Sequence, residues 1–122
     1  MTQLGKTPLV FVVLLLCVGA IVHAAALVGW KLDEEPLWTD VTFLCIDLVV
    51  FFGVLTKRRW GYWLALLLFL QQSAVQGYWA VWGLQNGVVF GIQQAAALLS
   101  VIALIMLVCF KDVFCGVREG TL

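Results

Sequence analysis

"DLVVFFGVLTKRRWGYWLALLLF", residues 47–69, decides the architecture. Two apolar runs meet across Thr56–Arg59, a break that holds three positive charges. A hydrocarbon core is about 30 Å thick and a helix rises about 1.5 Å per residue, so a run of about 20 apolar residues crosses it. Two such runs joined by so short a loop must pack side by side and run in opposite directions.

Working outward with a window of about 19 residues, the chain divides into the apolar segments Pro8–Trp30, Trp38–Leu55, Trp60–Leu84 and Val88–Phe110. The outer breaks are as explicit as the central one. "KLDEEP" (31–36) brings charge and a proline, and "QNG" (85–87) is a polar turn whose glycine can take positive φ. The sequence therefore predicts an all-α integral membrane protein in which four antiparallel transmembrane helices form an up-down-up-down bundle, one domain over residues 1–122.

Composition points the same way. The chain is 64% hydrophobic and 11% charged, with a mean hydropathy of +1.08; soluble domains hold about 45–50% apolar and about 25% charged residues. Seven basic and seven acidic residues balance, which leaves no overall basic field to attract nucleic acid. The partners to expect are the lipid bilayer, further copies of the chain and other membrane subunits.

Orientation follows from where the basic residues fall. Lys6, Lys57, Arg58, Arg59, Lys111 and Arg118 share one side of this topology, while Lys31 alone lies on the other, beside Asp33, Glu34 and Glu35. Cytoplasmic loops collect Lys and Arg, so both termini are expected to be cytoplasmic, in a plasma or inner membrane. Trp30, Trp38, Tyr78, Trp79 and Trp82 would form the outer aromatic belt, and Trp60, Tyr62 and Trp63 the inner one. A competing reading makes "PLVFVVLLLCVGAIVHA" (8–24) a secretory signal cut before Ala25. The apolar run continues to Trp30, however, longer than a signal core of about 7–15 residues, which favours an uncut first helix.

Cofactor chemistry is not indicated. Cys17, Cys45, Cys109 and Cys115 form no CxxC pair and no Cys/His spacing suited to zinc or iron–sulfur, and read as small apolar packing residues. The single histidine cannot ligate a haem on both faces within one chain, and no phosphate loop or nucleophile motif is present. No cofactor or metal is expected, and an enzyme is the less favoured class.

What remains is polar chemistry inside apolar helices. Asp40 and Asp47 are seven apart on the second segment and share a face, with Asp40 near the outer interface and Asp47 near mid-bilayer. His23 lies in the outer half of the first segment, on a face with Gly19. Gln72 and Gln76 are four apart on the third beside Gly77, while Gly87, Gly91 and Ala95 form a small-residue ridge on the fourth beside Gln94. Small residues let helices approach closely, so Gly19, Gly77, Gly87, Gly91 and Ala95 are candidate interface positions. Asp47, His23, Gln72, Gln76, Gln94 and Asp40 are candidates for a ligand or proton site. Counting from the expected helix ends, His23 and Asp47 differ in height by about 3 Å and are expected within hydrogen-bonding reach, with Asp40 at a wet mouth above them. The plain structural alternatives are glutamines that only bridge helices and an Asp40 that serves the positive end of a helix dipole. A carboxylate at mid-bilayer is a functional candidate by default.

Two functions stand out. With almost no mass outside the membrane, the chain is expected to be a non-catalytic accessory or assembly subunit of a larger membrane complex. The alternative is a small homo-oligomeric transporter or ligand-binding protein with Asp47 and His23 as its proton or cation site, which a pocket lined by His23, Asp47, Gln72 and Trp79 would favour over sealed helices.

Overall fold

A computed structural model describes residues 3–30, 36–88 and 91–115, and its elements are all helical: α1 (Gln3–Leu27), α2 (Leu37–Leu55), α3 (Arg59–Gln85), α4 (Ile92–Cys109) and the single turn α5 (Lys111–Cys115). α1 to α4 are each long and apolar enough to cross a membrane. Lys31, Asp33, Glu34, Glu35 and Arg118, on which part of the charge asymmetry rests, lie outside the described residues.

Local chemistry sets the helix ends, and sets them differently from the apolar runs. α1 stops at Leu27 because Gly29 turns left-handed (φ +99°) and the Trp30 N–H bonds back to the Ala25 carbonyl at 2.9 Å. α3 stops in the same way, with Gly87 at φ +87° and the Val88 N–H on the Gly83 carbonyl at 2.8 Å. Both are Schellman closures, in which a left-handed residue lets the chain satisfy an orphan carbonyl five residues back. α2 closes likewise, from the Arg58 N–H to the Gly53 carbonyl at 2.9 Å, but its left-handed residue is Lys57 (φ +56°). An L side chain costs about 1–2 kcal/mol there. α4 begins at Ile92, four residues after the expected Val88.

α1 packs closely on α2 and α3 on α4, while the α2–α3 and α1–α4 seams are shorter. The α2–α3 seam is tightest at Gly53 and Gly61. A Cβ on Gly53 would lie 2.7 Å from the Gly61 Cα and 2.7 Å from the Trp60 ring, so the two backbones touch where only hydrogen fits. Around this crossing the core gathers at one end of the bundle, the end of Lys57–Arg59. Val12 and Leu16 meet Val50 and Val54, with Ala65 and Leu107 closing the layer.

α5 completes this end. Its Phe114 is fully buried, 6.3 Å ring to ring from Tyr62. The Tyr62 hydroxyl donates to the Leu107 carbonyl at 2.9 Å, tying α3 to α4. Tyr62 is thus a core residue and not a member of the inner belt, which keeps the exposed Trp60 and Trp63. Lys111 places its Nζ over the Trp63 and Tyr62 rings, 5.3 and 5.9 Å from their centroids. Burial pushes the Cys115 thiol above its ordinary value, with Lys111 and Arg59 pulling the other way. All four cysteines are free.

The outer surface is apolar. Val10, Leu14, Val18 and Ile21 form a continuous stripe along α1, each more than half exposed. Such a stripe would be a liability in water and is ordinary against lipid.

Candidate functional site

Beyond the Gly53–Gly61 crossing the helices part, and a cleft of about 310 Å³ opens between all four long helices. Val50 and Leu107 fill the packed end, Leu16 and Leu68 form the boundary between core and cleft, and the cleft wall also carries Gly19 on α1 and Ala95 and Ala96 on α4.

Asp47 lines this cleft and is 6% exposed. A Cβ on Gly19 would sit 2.8 Å from the Asp47 Oδ2, so the missing side chain at position 19 lets the carboxylate lie against α1. Gly19 is therefore a close-approach position. Among the described residues no hydrogen bond to the Asp47 carboxylate is found.

His23 also lines the cleft, but it pairs with Asp40 and not with Asp47: its Nδ1 lies 2.9 Å from the Asp40 Oδ1. The helix ends supply the reason. α1 ends at Leu27 and not Trp30, so His23 is four residues from its end and Asp40 three from the start of α2, which brings their levels within about 2 Å. Asp47 lies ten residues from Leu37, well below them. Asp40 is 3% exposed and does not line the cleft, which corrects the expectation of a carboxylate at a wet mouth. The imidazole stacks on Phe43 with ring centroids 5.7 Å apart.

Gln72 and Gln76 face the cleft from α3, joined by Gln71. They bond to one another along the helix: the Gln72 Nε2 donates to the Gln71 Oε1 at 2.8 Å, and the Gln76 Nε2 to the Gln72 Oε1 at 3.5 Å. Gln94 is elsewhere. It lies in the first turn of α4, and its Nε2 donates to the carbonyls of Ala80 (3.0 Å) and Val88 (3.2 Å), fastening the α3–α4 turn. Room for it comes from Gly83 and Gly91, whose Cβ atoms would approach its amide to 2.9 and 2.6 Å. Its neighbour Gln93 takes the place on the cleft wall, with Ser100 two turns further on.

The other small residues separate in the same way. Because α4 starts at Ile92, Gly87 and Gly91 are not helical and the expected ridge does not form. Gly87 is an exposed turn residue, Gly91 serves Gln94, and Ala95 is an exposed part of the cleft wall. A Cβ on Gly77 would meet nothing within 4 Å, so Gly77 is no packing position. Trp79 stands outside the cleft, edge-on to Tyr78 and Trp82. Sequence reasoning passed over Phe43 and Ser100; the spacing of Gln93, Ala96 and Ser100 at i, i+3 and i+7 would have placed Ser100 on the lining face.

Chemically, the lining offers one carboxylate, one imidazole already engaged by Asp40, neutral amides and a hydroxyl, with no Lys or Arg among the described lining residues. No cluster of His, Cys, Asp or Glu among the described residues could hold a metal ion. The fold and cleft define an all-helical chain whose four candidate membrane spans suggest a multi-pass membrane protein, with a partly polar cavity let into one end. No family model, curated protein or solved structure matches the chain.

Proposed function

We propose that this chain is a small ligand-binding or transport protein of the membrane, with the cleft as its site and Asp47 as the group that takes a cation or a proton. One observation carries this reading over an accessory role: the four helices are not sealed together where their polar side chains lie, but enclose a cavity with a buried carboxylate on its wall. An ionised carboxylate in so apolar a setting needs a positive partner, and a ligand can supply it.

In this reading the helices run antiparallel in up-down-up-down order with cytoplasmic termini. Lys57, Arg58, Arg59 and Lys111 mark the inner end, and the cleft opens toward the outer face. The test is titration of the purified protein in lipid nanodiscs with tetramethylammonium. Saturable binding that Asp47→Asn removes is expected; no saturable binding to the wild type would overturn the cation site.

A second reading, the accessory or assembly subunit, draws on Gln71. This side chain is exposed on α3 about halfway along the span, where a neighbouring subunit or a second copy would satisfy its amide better than lipid does. Native mass spectrometry of the chain extracted in mild detergent separates the two. Recovery alone or as a homo-oligomer supports the ligand-binding protein, and recovery with stoichiometric foreign subunits supports the accessory role.

A further inference from the structure

A second cavity adjoins the first. Between α2 and α3 a lateral groove of about 510 Å³ runs outward from the Gly53–Gly61 crossing, walled by Ile46 and Val49 on one side and Leu64 and Leu67 on the other. Phe43, Leu68 and Gln71 belong to the walls of both groove and cleft, so the two spaces lie side by side across these three residues. The groove spans Leu64 to Gln71 along α3, about 10 Å at 1.5 Å per residue. Val49 and Leu67 are 51% and 63% exposed, so the groove faces outward from the bundle.

The two spaces differ in chemistry. Among the described lining residues Gln71 is the one polar side chain of the groove walls, whereas the cleft holds Asp47 and no lysine or arginine. The imidazole there already bonds to the Asp40 carboxylate, so Asp47 is the carboxyl group of the cleft with no basic side chain bonded to it among the described residues. A pocket holding a carboxyl group, set beside an apolar groove across a shared wall, is complementary to a molecule that is cationic at one end and aliphatic at the other.

Resting on the function proposed above, we infer that the ligand is an amphipathic cation, such as an alkylammonium, with its head group at Asp47 and its chain in the α2–α3 groove. The chain lies where bilayer hydrocarbon meets the protein, so such a ligand enters sideways from the membrane and does not have to cross water. Phe43 and Gln71 stand at the junction it passes.

The experiment compares decyltrimethylammonium with tetramethylammonium on the protein in nanodiscs, each corrected for partition into empty nanodiscs. With affinity referred to the free aqueous ligand, the chain is expected to tighten binding by about tenfold or more, since each methylene leaves water for an apolar surface. Leu67→Trp and Cys45→Trp fill the groove from exposed positions where no packing is lost, and each should remove that gain while leaving tetramethylammonium binding unchanged. Asp47→Asn should remove both ligands. A chain that adds no affinity, or a gain that survives both tryptophan variants, overturns the groove assignment and leaves the cation site standing. Failure of both cations to bind the wild type overturns the cation site and this inference together.

Discussion

The two ends of the bundle are built from the same four helices and solve opposite problems. At the Lys57–Arg59 end the backbones of α2 and α3 touch at Gly53 and Gly61, bulky side chains interlock, and Phe114 caps the layer. At the other end the four helices leave a cleft open between them, walled by apolar and polar side chains together. In lipid there is no hydrophobic force between helices, so they hold together where van der Waals packing or hydrogen bonds join them. Polar side chains alone do not close a bundle. Gln71, Gln72 and Gln76 bond along α3, which satisfies them without drawing another helix in, whereas His23 and Asp40 bond across α1 and α2 and clip that pair together.

The sharpest way to break this contrast is at the crossing. Gly61→Leu should abolish the folded bundle, a loss of more than about 3 kcal/mol, while Gly77→Leu on the same helix should leave it intact, because a Cβ there enters open space. Thermal unfolding in detergent reads both, and equal tolerance of the two would sink the distinction. Next in size, Leu107→Ala should cost about 2–3 kcal/mol through the void it leaves in the packed end. Gln72→Leu, at the cleft, should stay within about 0.5 kcal/mol and change ligand binding only. A third comparison is Tyr62→Phe, which removes the bond to the Leu107 carbonyl and should cost about 1 kcal/mol, with the ring packing against Phe114 retained.

The smallest effect concerns chemistry at the packed end. Burial disfavours the Cys115 thiolate, so the reactive form accumulates only at higher pH than for an ordinary thiol. Alkylation of Cys115 by iodoacetamide, followed by peptide mass spectrometry, should therefore rise through a midpoint above the usual thiol value. Lys111→Ala, which removes a charge that favours the thiolate, should move it higher still.

Much of the architecture was legible because apolar length is a coarse property: four runs and three breaks are enough to give four candidate spans. The site was legible in its ingredients and not in its pairings. His23, Asp47, Gln72 and Gln76 do line one cavity. Their partners depend on helix ends, and hydropathy runs past an end that backbone chemistry has already set. Gly29 stops α1 three residues before the apolar run finishes, which is enough to bring His23 level with Asp40 instead of Asp47. Gln94 went astray for the same reason at Ile92, since a residue of the first turn reaches back to the preceding helix and not into the bundle. Phe114 carried no signal, as a single turn after a span looks like any juxtamembrane tail.

Lys57 is where two demands on one residue conflict. Its backbone sits in the conformation that glycine adopts at the matching positions 29 and 87, so Lys57→Gly should relax the turn. In the orientation proposed above, the same change would delete a charge from the cluster that biases which way a nascent chain threads into the bilayer. A mutation that makes the mature turn more comfortable would thus weaken an instruction read only during biosynthesis, and stability measured on the purified protein would not register the loss.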